Sequence, residues 1–401
     1  MRARLPIIFI VATILIDGIG AGLIFPVLPD LILEVTGKPL SEAAIWGGVL
    51  ATGYAVMQFV FGPIVGNLSD RYGRKPILIA ALFVLAIDYA IMAVAGSIWL
   101  LLLGRVIAGL MAATYSTASA FMADISKPED REKNFGIIGA AVGIGFALGP
   151  VIGGLLAEVD TRAPFWVAGA MALANGVFGL LVMPESLAKG KRRSFSWSRA
   201  NPLNSFKSVS ELSGVRALLF VFFLYQVALF IYPAIWAFFA REQFGFIARD
   251  IGLTLFVFGV SMGVSQALLV GPIVNRFGAY KTAVFGMILE LVIFATFAVL
   301  TQVWFVWILV ALSGLGSIVM PALQGIMSRA AGDNQQGELQ GVLGSIAALA
   351  TIISPLLMTM VFAKFSRPDA ALYLPGAPFV VSAILIVVCA VLMLSWRKSN
   401  N

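Results

Sequence analysis

The sequence predicts an all-α integral membrane protein, twelve transmembrane helices built as two pseudo-symmetric six-helix bundles. Three observations predict it. Of 401 residues, 60% are apolar and 12% charged, about half the roughly 25% charge of an ordinary soluble domain. Apolar runs of about 20 residues, long enough to cross a bilayer, recur twelve times. The two halves of the chain also share short motifs at one fixed offset. This composition excludes a soluble enzyme, a disordered chain and a secreted disulfide scaffold. Cys389 lies among valines and reads as an inert thiol at lipid depth, and the chain has no histidine. That absence removes the commonest general base, metal ligand and near-neutral proton switch.

The expected spans are 5–28, 43–67, 76–95, 98–122, 134–158 and 163–184, then 214–240, 248–273, 280–301, 303–328, 336–363 and 374–396. Residues 2–15 begin with Arg2 and Arg4 like a signal peptide, but no cleavage site follows. The apolar stretch runs on past Asp17 and reads as the first span. An even number of spans puts both termini on one side. Twenty of the 27 Lys and Arg lie at the termini and in the loops on that side. Six lie in the other loops (Lys38, Arg162, Arg241, Arg249, Lys364 and Arg367), while the acids divide 9 against 8. Only the positive charges are asymmetric, so both termini are expected in the cytoplasm. The net charge of +7 reads as this bias rather than as a nucleic-acid partner.

Residues 1–184 thus form an N-terminal bundle, 185–213 a basic linker and 214–401 a C-terminal bundle. The linker carries Lys189, Lys191, Arg192, Arg193, Arg199 and Lys207. Within it Asn201-Pro202 can start a helix, and Leu203, Phe206, Val209 and Leu212 give that helix a stripe suited to the membrane surface. A flexible basic linker is the alternative. Gly66-Asn67-Leu68-Ser69-Asp70-Arg71-Tyr72-Gly73 corresponds to Gly271-Pro272-Ile273-Val274-Asn275-Arg276-Phe277-Gly278 at an offset of 205. The same offset pairs Gly109 with Gly314, Gly139 with Gly344 and Pro150 with Pro355. One offset across several spans argues for internal duplication.

The sharpest local motif continues from Gly66 through Arg74-Lys75-Pro76. Gly66 and Gly73 permit close approach and an unusual turn, Pro76 suits the first position of the next helix, and Asp70 can pair with Arg71 or Arg74. Four ionisable residues lie inside spans: Asp17, Asp88, Arg105 and Glu290. A central charge costs about 2.5–3.5 kcal/mol on insertion scales, so these groups face an interior or a watery cavity. Arg105 is a natural partner for Asp88, whereas Asp17 and Glu290 have none evident. A carboxylate that opens alternately to two compartments can take a proton from one and lose it to the other. A cationic substrate competing for it makes the exchange obligatory. Span 5 carries Gly139, Gly143, Gly145, Gly149, Pro150, Gly153 and Gly154, a small-residue face for close helix contact. Polar and aromatic residues within spans include Tyr54, Gln58, Asn175, Tyr225, Gln226, Tyr232, Trp236, Gln266 and Gln324. Each is suited to a cavity wall or an interhelical hydrogen bond. No metal cluster, and no nucleophile with its base, suggests an enzyme.

These motifs together resemble the major facilitator superfamily, and within it the drug–proton antiporters related to the tetracycline efflux proteins. The likeness includes Leu15-Ile16-Asp17-Gly18, Phe25-Pro26-Val27-Leu28-Pro29, Ser69 to Pro76, Asp88-Tyr89 and Gly104-Arg105. It continues through Gly149-Pro150-x-x-Gly153-Gly154, Pro321-Ala322-Leu323-Gln324-Gly325 and Gln335-Gln336-Gly337-x-Leu339-Gln340-Gly341. The resemblance implies substrate or proton handling for Asp17, Asp88 and Glu290, and proton transfer for Arg105, which with Gly109 fits the span-4 pattern. It makes Gly66, Asp70, Arg71, Gly73 and Arg74 the gate motif, and Gly145, Gly149, Pro150, Gly153 and Gly154 the antiporter motif. Asp17, Tyr54, Gln58, Gln226, Tyr232, Trp236, Met262, Gln266 and Gln324 become the substrate wall, the four glutamines matching glutamines of tetracycline exporters. Met262 stands where those exporters carry a functional histidine, Glu290 replaces an aspartate, and Phe230 and Tyr232 add aromatic surface. The implied activity is proton-coupled export of a small amphipathic drug by alternating access, with tetracycline as its divalent-metal (Mg2+) chelate the leading substrate. A multidrug or natural-product exporter is the alternative. The resemblance implies no protein-bound cofactor, protons as coupling ion, and a monomer in the bacterial cytoplasmic (inner) membrane.

Overall fold

The computed structural model describes residues 5–204, 212, 215–331 and 335–400, and among them it is all helix and connections, with no strand. Twelve helices are long and apolar enough to cross a membrane. Spans 1 to 6 are Leu5–Thr36, Leu40–Tyr72, Arg74–Val94, Ile98–Ile125, Pro128–Ala157 and Ala163–Val182. Spans 7 to 12 are Arg216–Phe244, Ala248–Phe277, Ala279–Val299, Val303–Ala331, Gln336–Phe365 and Ala377–Arg397. Helix is the natural choice because a bilayer supplies no water to satisfy backbone groups left outside the i to i+4 ladder.

Several boundaries differ from those expected. Span 1 continues through Pro26 and Pro29, both inside its 32 residues; membrane helices tolerate proline where neighbours cover the freed groups. Span 2 runs unbroken to Tyr72. The helix of span 3 starts at Arg74, so Pro76 is its third residue rather than its first. Its missing N–H costs nothing there, because the first four amides of a helix lack intrahelical partners anyway. The surface helix expected after Pro202 falls on 205–211, outside the described residues.

Three spans are interrupted. Span 4 breaks between Leu110 and Thr114, and span 10 breaks at Ser317-Ile318. The offset of 205 maps Ala112-Ala113 onto that second break, so the duplication extends to local irregularity. Span 7 is interrupted at Phe230, three residues before Pro233. The freed carbonyls are covered by hydroxyls, Ser354 Oγ donating to Val227 O at 2.8 Å and Ser382 Oγ to Ala228 O at 3.0 Å. Both serines are fully buried, so a break that would be costly in lipid is satisfied from spans 11 and 12.

The chain divides into two compact units. Unit 1 comprises Met1–Gly37, Gly53–Pro202 and Ala248–Gly252; unit 2 comprises Lys38–Thr52, Leu203–Ile247 and Leu253–Asn401. A core of unit 1 gathers Phe9, Ile10, Ile14, Leu78, Leu82, Phe121, Met122 and Ile138. In unit 2, Tyr232, Trp236, Phe239, Phe294 and Phe297 pack around the buried Phe379, with ring centroids 4.8 to 6.5 Å from it. Cys389 is buried as well, its thiol against Val221 O at 3.5 Å.

Candidate functional site

The Asp70 to Arg74 segment of unit 1 is a tight helix-to-helix corner. Gly73 alone separates spans 2 and 3, at φ +112°, a conformation that strains any residue bearing a Cβ. Gly66 behaves differently from expectation. It lies inside the span-2 helix, and a Cβ there would meet nothing within 4 Å, so neither a turn nor close contact demands it. Arg74 Nη1 meets Asp70 Oδ1 at 2.6 Å and donates to Ser69 Oγ at 2.6 Å, while its Nε reaches Asp124 Oδ2 at 3.4 Å. Arg71 takes no part; it is exposed and lies over the Tyr72 ring at 5.1 Å.

An acid that the sequence reading missed completes this corner. Glu185 Oε1 accepts from the Arg74 amide at 2.8 Å and Oε2 from the Lys75 amide at 3.3 Å. A carboxylate thus holds the orphan amides of the span-3 helix, where the helix dipole also favours it. Its one sequence signal was its place, directly after Met183-Pro184 at the end of span 6.

Deeper in unit 1, Asp17, Tyr54, Gln58, Met111, Thr114 and Tyr115 line a cavity of about 80 Å³ with four apolar neighbours. Three predicted residues (Asp17, Tyr54 and Gln58) therefore share one space. The break in span 4 shapes its wall, and Gln58 Nε2 donates at 3.2 Å to Ala112 O, a carbonyl that the break releases. Sequence reasoning missed Thr114 and Tyr115, because only the break turns them toward the cavity. Asp17 has no ion-pair partner among the described residues.

Asp88 and Arg105 form an ion pair, as their expected proximity required. Asp88 is 0% exposed, and among the described residues Asp88 Oδ1 and Arg105 Nε have no hydrogen-bond partner. The Arg105 guanidinium lies 5.8 Å from the centroid of the Tyr54 ring, which joins the pair to the cavity wall. The small residues of span 5 make close backbone contacts. Gly145, Gly149 and Gly153 face Leu15, Ile19 and Leu23 of span 1, while Gly154 faces Ala248 and Arg249. Pro150 packs on Gly22 and Gly252. Gly139 and Gly143 face open space.

Unit 2 holds Glu290, 2% exposed. Tyr225 Oη donates to its Oε1 at 2.7 Å, and its Oε2 is buried with no partner among the described residues. Tyr225 was visible in the sequence only as one of several polar residues in span 7; its contact with span 9 is tertiary. Tyr232 and Trp236 lie in the aromatic cluster, with Trp236 Nε1 donating to Thr254 Oγ1 at 2.9 Å. Gln226 and Met262 are half-buried, and Gln266 and Gln324 exposed. Gln266 sits within a π-helical turn, Ser265–Leu269, a local distortion that recurs at functional sites. Among the described residues no three His, Cys, Asp or Glu side chains gather as a metal site would require.

Twelve apolar helices, their repeat and these intramembrane charges agree with a wider comparison. The family model described as the Major Facilitator Superfamily matches residues 10–246 and 218–401. The chain belongs to this superfamily. As a member of the Major Facilitator Superfamily it is a membrane transporter and not an enzyme. The class C tetracycline resistance protein of Escherichia coli is 38% identical over 403 residues, covering 100% of both chains. Multidrug resistance protein 2 of Bacillus subtilis (strain 168) is 27% identical over 400 residues, 98% of this chain and 96% of its own. The crystal structure of the human organic anion transporter TETRAN matches with a TM-score of 0.71 at 23% identity, covering 98% of this chain and 99% of that one. This last likeness is one of fold.

Proposed function

We propose that the protein exports tetracycline as its monocationic Mg2+ chelate in exchange for a proton, by alternating access. The observation that carries this reading is the full-length 38% identity to the class C tetracycline resistance protein. The cavity geometry supports the coupling. Asp17 stands on the cavity wall with no cation paired to it among the described residues, so a proton and a cationic chelate compete for one carboxylate. Tyr54 lies between that site and the Arg105–Asp88 pair, whose guanidinium assists proton transfer. Glu290, held by Tyr225, serves substrate or proton handling in the other unit. One cationic chelate out for one proton in moves no net charge. The exchange then draws on the pH difference, worth about 1.36 kcal/mol per unit.

In this reading both termini are cytoplasmic and the transporter works as a monomer in the bacterial inner membrane. The bundles are 1–184 and 214–401, joined by the linker 185–213. The Asp70–Arg74 corner, with Arg71, acts as the cytoplasmic gate lock. A second reading, a multidrug or natural-product exporter, is favoured by Met262, which cannot carry the proton of the histidine it replaces. The full-length likeness to Multidrug resistance protein 2 points the same way. Drug susceptibility of a pump-deficient bacterium expressing the chain separates the two. Protection against tetracyclines alone supports the first, protection against unrelated cationic drugs the second, and no protection against any tetracycline refutes the preferred substrate.

A further inference from the structure

The basic segment after span 6 lies on the gate corner as a strap. Its Ser196 carbonyl accepts from Asn67 Nδ2 at 2.8 Å, and the Arg193 amide donates to Asp70 O at 3.1 Å. Arg192 Nη2 lies 3.1 Å from where a Cβ of Gly73 would be. The strap therefore runs antiparallel to the last two turns of span 2. The acids of this corner are already engaged. Asp70 is used by Arg74, Asp124 by Arg74 and Ser186, and Glu185 by the amides of Arg74, Lys75 and Leu187. Among the described residues, Arg71, Lys189, Lys191, Arg192 and Arg193 make no ion pair with an acid. Two aromatic side chains of this segment are exposed, Tyr72 at 51% beneath Arg71 and Trp197 at 73%. Trp197 is braced edge-on by Phe195 at 5.0 Å.

The heights of these groups are ordered. Trp197 follows the residue bonded to Asn67, five residues before the end of the span-2 helix, or about 7 Å inward at 1.5 Å per residue. Arg193 lies beside Asp70 and Arg192 beside Gly73, at the outer end. An indole at the inner level with guanidinium and ammonium groups a few ångströms outside it is the arrangement that meets a lipid headgroup layer, ring against glycerol and cations against phosphate. We propose that this strap is a docking surface for anionic phospholipid, with Lys189, Lys191, Arg192 and Arg193 taking the headgroup phosphates and Trp197 seated in the interface. Because the strap's backbone is bonded to Asp70 and Asn67, lipid held there also braces the gate corner. A zwitterionic headgroup offers its phosphate beside a compensating ammonium, so it attracts these cations less than an anionic one.

The test uses the full-length protein in phosphatidylcholine vesicles, with a fixed fraction of brominated lipid supplied as phosphatidylglycerol or as phosphatidylcholine. Trp197 emission is isolated as the difference between wild type and Trp197→Phe. Brominated phosphatidylglycerol is expected to quench this emission about twofold more than brominated phosphatidylcholine. The excess disappears in the Lys189→Gln/Lys191→Gln/Arg193→Gln variant. It also disappears for wild type at 1 M salt, where screening reaches about 3 Å, an arm that does not depend on the variant folding. Equal quenching by the two lipids, no quenching by either, or an excess that survives neutralisation each overturns the proposal. Loss of the excess on adding soluble glycerol phosphate at millimolar concentration also overturns it, in favour of a free-phosphate site. None of these outcomes depends on which drug is exported.

Discussion

Replacing Gly149 by alanine puts the contact between spans 1 and 5 to a direct test. The added Cβ would lie 2.9 Å from Gly22 Cα and 3.0 Å from Leu23 N, and would also strike Ile19 O. All three obstacles are backbone, so no side chain can swing away to relieve them. Carbon atoms rest at about 3.5–4.0 Å, so the two helices must part by roughly 0.5–1 Å. That separation also loosens the neighbouring Gly145 and Gly153 contacts. Overpacking of this kind costs about 1–3 kcal/mol. Gly139, on the same helix, is the internal control. Nothing lies within 4 Å of its added Cβ, so Gly139→Ala gains the ordinary helix-propensity benefit of about 0.5–1 kcal/mol. The two variants should therefore differ by about 1.5–4 kcal/mol. At about 2–4 °C per kcal/mol for a unit of this size, their melting temperatures should separate by roughly 3–16 °C. Thermal unfolding of the purified proteins in one detergent reads this out. Gly149→Ala melting at or above wild type would refute the close-contact reading of the motif.

Other substitutions address the charges and hydrogen bonds. Asp17→Asn should abolish drug/proton exchange in everted vesicles and leave the melting temperature unchanged, because Asp17 supports no ion pair; wild-type exchange rates would remove it from the mechanism. Arg105→Ala should cost about 3–5 kcal/mol by stranding the buried Asp88 carboxylate. The Asp88→Asn/Arg105→Gln pair should recover most of that stability without recovering transport. Equal melting of the single and double variants would contradict the pairing. Tyr225→Phe removes the Tyr225 hydrogen bond to Glu290 and should destabilise by about 1–3 kcal/mol; in a Glu290→Gln background, where a neutral amide replaces the carboxyl, the same change should cost less. Glu185→Ala uncovers two helix-start amides, and a loss of about 0.5–2 kcal/mol is expected. Protection of the Arg74 and Lys75 amides in hydrogen exchange should fall with it, and unchanged protection would rule out the cap.

Much of this protein was legible before any coordinates. Twelve spans, the repeat at 205 residues and the four intramembrane charges are statements about composition and spacing, because lipid admits few alternatives to an apolar helix. The pairing of Asp88 with Arg105 was also readable, since two opposite charges that deep leave each other as the cheapest partner. Other features resisted for identifiable reasons. Gly66 looked like a turn residue because a glycine beside polar residues signals a turn in water, yet span 2 stays helical through it. Glu185 escaped because its amide partners lie more than a hundred residues away. Tyr232 and Trp236 read as cavity wall, whereas in the structure both are buried in the packing around Phe379.

By itself, then, the sequence determined the solvent of this chain, its helices, its duplication and the residue types that can hold a proton without histidine. Those properties are local, or follow from how often a residue type recurs. Tertiary structure decided which of those residues share a space. Whether Asp17 faces Tyr54, whether Gln58 covers a broken helix and whether Glu290 finds a hydroxyl all depend on where separate helices meet. That meeting is decided by close packing of backbones and by the need of each buried polar atom for a partner, neither of which is written along a single span.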